Sequence, residues 1–238
     1  MPAAGQDVYA SARGPLARVA APLASRVAAR ARARRHARFF ALTHLPAHAR
    51  VLDVGCGALG LRALASSPAS SPEGEEEGEP ELDITGVDLH ERPAYPGPFV
   101  RADVTEGLPF ADGEFDLAYC SSVIEHVPPG RRAAFAAEVR RVARGWFVQT
   151  PARSFPIEPH SLLPFAHWLP ARVRRVYWRI GASGDDAAEI SLLSRAELEE
   201  LFGPALPERF GPLVKSWVCV RAPDGNRERS PAGRQARS

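Results

Sequence analysis

Aspartates and glycines occur together at three points in the first half of the chain, with a spacing that could build a binding site. Asp53 stands two residues before Gly55 and four before Gly57 in the run Val-Leu-Asp-Val-Gly-Cys-Gly. Asp88 belongs to the run Gly-Val-Asp-Leu, and Asp103 to the run Arg-Ala-Asp-Val. Glycine lets a backbone approach a ligand closely, and a carboxylate accepts hydrogen bonds from amines and hydroxyls. These residues predict a site for a polar ligand with a cationic group.

Alternating strand and helix patterns must position these residues. Short apolar runs predict strands at 51–54, 84–89, 99–102, 115–121, 146–149 and 214–220. Helical periodicity predicts helices at 58–65, 131–144, 172–180 and 194–202. Strands that alternate with helices form parallel sheets, and such sheets bind ligands at the carboxyl ends of their strands. Each of the three aspartates lies at or near such an end.

The glycine loop by itself is compatible with two cofactors. The pattern Gly55-x-Gly57-x-x-Gly60 fits a dinucleotide fingerprint, and the N-terminus of the following helix can hold a pyrophosphate or an amino-acid carboxylate. Asp53 favours the amino acid, because a carboxylate repels a pyrophosphate and attracts an amino group. Asp88 can accept both ribose hydroxyls, a feature that NAD and S-adenosylmethionine share.

The third aspartate adds a contact for the base of such a ligand. Asp103 can accept a hydrogen bond from an adenine amino group, while the amide of Val104 can contact a ring nitrogen. Together with Asp53, this segment ranks an NAD-linked oxidoreductase below an S-adenosylmethionine-binding protein.

In their order and spacing, these motifs resemble the class I S-adenosylmethionine-dependent methyltransferases of the small-molecule, type 11 group. The resemblance covers most of residues 45–150, and two further motifs lie at 108–117 (Leu-Pro-Phe-Ala-Asp-Gly-Glu-Phe-Asp-Leu) and 121–127 (Ser-Ser-Val-Ile-Glu-His-Val). It implies an α/β fold with a Rossmann-like, doubly wound sheet, mostly parallel with a final antiparallel strand, and helices on both faces. It also implies S-adenosyl-L-methionine as the cofactor.

The resemblance assigns a role to each matched residue. The implied cofactor-binding residues are Asp53, Gly55 and Gly57 for the methionine part, Asp88 for the ribose, Leu89, Asp103 and Val104 for the adenine, and Ser121 beside the sulfonium.

Two histidines are candidate general bases, although a sulfonium is so activated that transfer needs a weak base or none. His126 lies in the helix expected after the fourth strand, where a structural or cofactor-lining role is the alternative. His160 lies after the fifth strand in a segment of prolines and aromatics that also contains Glu158. A packed loop with a hydrogen-bonded histidine is the alternative there.

The acceptor side favours a small molecule or a glycan- or lipid-type acceptor. An Asn-Pro-Pro-Tyr motif, which base N-methyltransferases use, is missing after the fourth strand. A formal net charge of +2 supplies no global argument for nucleic acid. A cofactor-binding protein without catalytic activity remains an alternative.

Composition changes divide the chain into three parts. Residues 1–45 are a basic helical segment, 46–222 the cofactor-binding domain, and 223–238 a tail predicted to be disordered. A Ser/Pro/Gly-rich and glutamate-rich insert at 66–81 is also predicted to be disordered. The arginine-rich start favours a helix that covers the edge of the domain, with a transit peptide or a membrane-surface helix as alternatives.

Cysteine usage and hydropathy bear on the compartment. The three cysteines, Cys56, Cys120 and Cys219, have no metal-binding spacing and suggest a reducing compartment. No apolar run approaches the ~20 residues of a membrane span. A cytoplasmic protein is therefore the expectation.

Overall fold

A computed structural model of the protein describes residues 33–57, 60–65, 81–157, 163–178 and 190–223. Its helices are α1 (33–43), α2 (Gly60–Ala65), α3 (Arg132–Val142), α4 (Ala171–Trp178) and α5 (Arg195–Phe202). Its strands are β1 (Arg50–Val54), β2 (Asp83–Asp88), β3 (Phe99–Arg101), β4 (Phe115–Ser121), β5 (Ala143–Pro151), β6 (Ala205–Phe210) and β7 (Leu213–Arg221).

All seven strands join one sheet in the order β3-β2-β1-β4-β5-β7-β6. The first five strands are mutually parallel, whereas β7 runs antiparallel to both β5 and β6. The strand order reverses between β1 and β4, which is the switch point where open α/β sheets bind ligands. The predicted fold, a mostly parallel doubly wound sheet with an antiparallel final strand, is confirmed.

Strand β6 was not predicted from the sequence. Its residues, Ala-Leu-Pro-Glu-Arg-Phe, carry a proline and lack the apolar alternation of the other strands. Proline cannot donate to a strand ladder, so it is tolerated mainly at the edge of a sheet. β6 occupies that edge and pairs only with β7, with an irregular register between Glu208 and Arg209.

Helices cover both faces of the sheet, as predicted, because successive strand residues point to opposite sides. On one face, Leu52 and Val54 of β1 pack in a buried cluster with residues of α3 and α5. On the other face, Val51 packs in a second cluster that contains Phe39 of α1 and Leu61 of α2. Strand β1, which the glycine loop follows, is therefore held by packing on both of its faces.

Helix α1 is the described part of the basic N-terminal segment predicted at residues 1–45. Phe39 lies edge-on to Tyr119 and Phe147, with ring centroids 5.3 and 5.5 Å apart, and is completely buried. The helix thus packs on the same sheet face as α2. Residues 1–32, most of the 66–81 insert and the tail from 224 onward lie outside the described residues.

Within the described ranges, no helix has the length and apolar character that a membrane crossing requires. The three cysteines are buried and free.

Candidate functional site

The carboxyl ends of β1, β2 and β3 bring the three predicted aspartates to one edge of the sheet. β2 pairs with β1 on one side and with β3 on the other, so the three ends are neighbours. The amide of Gly55 donates to the Val87 carbonyl, and the amide of Gly57 donates to Asp88 Oδ2 at 3.1 Å. The glycine loop is thereby fastened to the end of β2.

Asp53 lies beneath the glycine loop and is 2 % exposed. Its Oδ2 accepts the backbone N–H of Leu61 at 2.6 Å, in the first turn of α2. The same oxygen accepts the hydroxyl of Tyr95 at 3.4 Å, which reaches it from the β2–β3 connection. Burial raises the pKa of Asp53 to about 7, although both hydrogen bonds oppose that increase. The carboxyl group is therefore poised to exchange a proton near neutral pH.

The glycines of the loop have different roles, although all have positive φ angles, between 55° and 64°. A Cβ at Gly55 would lie 2.5 Å from a methyl group of Val123, and one at Gly60 would lie 2.0 Å from Asp53 Oδ2. A Cβ at Gly57 would meet nothing within 4 Å. The space above the loop is thus open to a ligand at Gly57, whereas the other two glycines make room for the protein's own side chains.

Asp88 is charged and multiply bonded. Its Oδ1 accepts the amide of His90 at 2.9 Å and Arg92 Nη2 at 3.1 Å, and its Oδ2 accepts the Gly57 amide. Arg92 Nε lies 3.0 Å from Oδ2. Burial alone would raise the pKa of Asp88, but these bonds together hold it below its ordinary value. The next residue, Leu89, is 56 % exposed, which leaves an apolar surface beside this carboxylate.

Asp103 caps the 3-10 turn Val104–Glu106. Its Oδ1 accepts both the amide and the hydroxyl of Thr105, at 2.8 and 2.7 Å, and Oδ2 lies 3.5 Å from Arg131. Burial opposes these contacts, which nevertheless keep the pKa of Asp103 below its ordinary value. The cap uses only Oδ1. Oδ2 accepts nothing from Thr105 and lies near Arg131 instead.

Ser121 ends β4, next to the switch point, and belongs to a polar network. Its hydroxyl donates to Gln149 Oε1 and accepts from Arg35 Nη1, both at 3.0 Å. Arg35, on α1, also lies 3.8 Å from Glu208 of β6. The network places a serine, an amide and an ion pair at the carboxyl ends of β4 and β5.

Of the two candidate bases, the structure describes His126 but not His160. His126 ends the 3-10 turn Ile124–His126, where a longer helix was expected, and its side chain is exposed. Its neighbour Glu125 is fully buried and accepts the Thr150 hydroxyl at 3.0 Å, which ties this turn to β5. His160 and Glu158 lie outside the described residues.

Three side chains of this site were not predicted from the sequence. Tyr95 donates to Asp53, Arg92 donates to Asp88, and Arg35 donates to Ser121. Tyr95 and Arg35 come from segments with no motif of their own, so no local signal marks them. Arg92 follows Asp88 by four residues, and that opposite-charge spacing was the available signal.

The cysteine of the loop is not a nucleophile in this setting. Cys56 is buried, and burial together with the carboxylates of Asp53 and Asp88 raises its thiol pKa to about 12. Among the described residues, no group of three or more histidines, cysteines or acidic residues could hold a metal ion.

Comparison with known families gives one match. Residues 52–148 match a family model described as a methyltransferase domain. No curated protein matches the chain.

Several solved structures are weakly similar to this chain. An S-adenosylmethionine-dependent methyltransferase of Methanosarcina mazei is 16% identical and covers 74% of this chain and 92% of its own, with a TM-score of 0.45. A Pyrococcus horikoshii protein is 18% identical, with coverage of 74% and 82% and a TM-score of 0.48. The Burkholderia thailandensis 1,6-didemethyltoxoflavin N1-methyltransferase, solved with that compound and S-adenosylhomocysteine, is 18% identical, with coverage of 80% and 77% and a TM-score of 0.48. At these identities and TM-scores, the similarity does not indicate which reaction this chain catalyses.

The matched variants Gly60→Ala and Gly57→Ala test the two roles of the loop glycines. Gly60→Ala is expected to lower the free energy of unfolding by about 2–5 kcal/mol, because its methyl group collides with Asp53 in a left-handed backbone. Gly57→Ala is expected to cost only the backbone strain, about 1–2 kcal/mol. Urea unfolding followed by circular dichroism measures both, and equal losses would contradict the assignment.

The raised pKa of Asp53 predicts a pH-dependent stability. A carboxyl group whose pKa is higher in the folded state stabilises the fold at low pH, and that contribution is lost as pH rises from about 4 to about 7. Asp53→Asn keeps an acceptor for the Leu61 amide but cannot ionise. The variant's melting temperature, relative to the unmodified protein, is expected to increase by several degrees between pH 5 and pH 8, roughly the titration window. A constant difference would refute the prediction.

Proposed function

We propose that this chain, which carries a methyltransferase domain over residues 52–148, transfers a methyl group from S-adenosylmethionine to a small-molecule or glycan- or lipid-type acceptor. The domain match confirms the family resemblance that the sequence motifs predicted, and S-adenosylmethionine is the cofactor of that family. The observation that carries the proposal is the row of three aspartates at adjacent strand ends beside an open Gly57.

The residues at the loop fit the methionine part of the cofactor. Asp53 would attract the amino group, because a carboxyl group whose pKa is near 7 readily ionises beside a cation. The open space at Gly57 would admit the carboxylate. Gly55 would shape the loop by its packing on Val123, alongside the contact that the resemblance implies.

The next two strand ends fit the nucleoside. Asp88 would accept the ribose hydroxyls, and the exposed side chain of Leu89 would pack against the adenine. Asp103, through the oxygen that does not cap its own turn, and the amide of Val104 would bind the adenine edge. Both carboxylates are held as anions, which is the state that accepts hydrogen bonds from hydroxyl and amino groups.

When bound, S-adenosylmethionine supplies a methyl group that its sulfonium already activates. The chain's task is then to hold the acceptor in line with that group and to exclude water. Ser121 would line the sulfonium side, and its bonds to Arg35 and Gln149 fix its position. Arg35 and Glu208 offset each other's charge, so this wall suits a polar acceptor without a large net charge.

The nature of the cofactor is tested by thermal shift with S-adenosylhomocysteine and NAD. At about one hundred times its dissociation constant, a ligand stabilises the fold by about 2.7 kcal/mol, which corresponds to a rise of about 5–10 °C in a chain of this size. S-adenosylhomocysteine is expected to produce this shift and NAD none. Gly57→Ala, which fills the open space, is the control that should lose it. A shift with NAD alone would favour an oxidoreductase instead.

A general base on the acceptor side is a separate proposal, with His160 as the first candidate and His126 as the second. With a hydroxyl acceptor, His160→Ala is expected to lower kcat by about 100-fold or more with little change in KM. Transfer of a labelled methyl group measures this, with His126→Ala in parallel. Full turnover by both variants with the true acceptor would eliminate a histidine base, while no turnover by the unmodified protein would favour a non-catalytic binding protein.

A further inference from the structure

The carboxylate of Asp88 has fewer free hydrogen-bonding positions than a ribose needs. A carboxylate offers about four lone-pair positions on its two oxygens. Three of them accept the amides of His90 and Gly57 and the Nη2 of Arg92. Arg92 Nε also lies 3.0 Å from Oδ2 but makes no hydrogen bond to any described residue, so at most one position is left. Two ribose hydroxyls require two positions, so they cannot both bind while all of these donors stay in place.

Of these donors, Arg92 is the one that can leave. His90 and Gly57 bind through backbone amides, and the loop that carries Gly57 is fixed to β2 by the Gly55–Val87 bond. The Arg92 side chain is 33 % exposed, so its guanidinium can move into solvent without crossing a packed core. The arginine side of this ion pair is open to solvent, which makes exchange of the guanidinium for two hydroxyls feasible.

We propose that Arg92 competes with the cofactor's ribose for Asp88, so that the cofactor binds by displacing the guanidinium. This inference rests on the proposed function, since it uses Asp88 as the ribose acceptor. Without a ligand, Arg92 neutralises a buried carboxylate and holds the end of β2 in order. With the cofactor present, the hydroxyls donate to the carboxylate in place of the guanidinium, and the cofactor's affinity is reduced by the strength of the lost ion pair. Arg92 is therefore a residue that sets cofactor affinity.

The experiment compares Arg92→Met with the unmodified chain by isothermal titration with S-adenosylhomocysteine. Methionine keeps the apolar stem of the side chain and removes the guanidinium. We expect the dissociation constant to fall about twofold to fivefold, while the melting temperature of the ligand-free variant decreases. If Arg92 competes with the ribose, Arg92→Met binds S-adenosylhomocysteine more tightly although it is less stable. If Arg92 has only a structural role, the variant loses stability without gaining affinity.

Two controls sharpen the result. Arg144→Met removes a comparable ion pair, Arg144 with Asp116 at 3.3 Å, at the amino end of the sheet, and it should leave the affinity unchanged. The second control is a pair of ligands, adenosine and 2′,3′-dideoxyadenosine. The gain from Arg92→Met should be present for adenosine and absent for the dideoxy compound, because the gain depends on the hydroxyls.

The outcomes are distinct. If S-adenosylhomocysteine binds the unmodified chain and Arg92→Met binds it equally or more weakly, Arg92 does not compete, and the inference fails while the proposed cofactor stands. An equal gain for both adenosine compounds would also overturn it. If S-adenosylhomocysteine binds neither protein although both are folded by circular dichroism, the proposed function and the inference fail together. Arg92→Lys, which keeps the charge but loses the two-atom contact, should have an intermediate affinity.

Discussion

The buried carboxylate of Asp53 is the interaction on which the site depends. It joins the end of β1 to the first turn of α2 through Leu61 and to the β2–β3 connection through Tyr95. Two glycines follow from this arrangement: a side chain at Gly60 would collide with Asp53, and one at Gly86 would lie 2.6 Å from the Tyr95 ring. The glycine loop has its shape because a carboxylate and a tyrosine occupy the space beneath it.

The predicted binding residues also hold their own loops in place. Asp88 accepts amides from two different loops, and Asp103 caps the turn that follows it. A capping role and a ligand-binding role are therefore compatible, because a carboxylate has more lone pairs than a cap uses. Such residues are fixed before a ligand arrives, so little side-chain entropy is lost on binding. An arginine contacts each of these carboxylates: Arg92 lies against both oxygens of Asp88, whereas Arg131 lies 3.5 Å from Oδ2 of Asp103 alone.

The polar network around Ser121 is assembled from parts that are far apart in the chain. Arg35 of α1 reaches Ser121 at the end of β4, 86 residues away, and Glu208 of the edge strand β6 lies beside it. Phe39, one helical turn further along α1, is buried against β4 and β5 and so sets where Arg35 can reach. The position of a basic residue at the switch point thus depends on aromatic packing on the face of the sheet.

The amino-acid sequence by itself determined most of the elements and the row of aspartates, but not strand β6. Strand β4 has its predicted bounds, Phe115–Ser121, and α3, predicted at 131–144, buries residues at helical spacing, among them Phe135, Val139 and Val142. These features follow from local patterns, because side-chain alternation and helical periodicity act over a few residues. Tyr95 under Asp53, Arg35 on Ser121 and the edge strand β6 were decided by the tertiary structure alone. They are contacts between segments whose separation no local pattern encodes, and burial in a folded core is what brings them together.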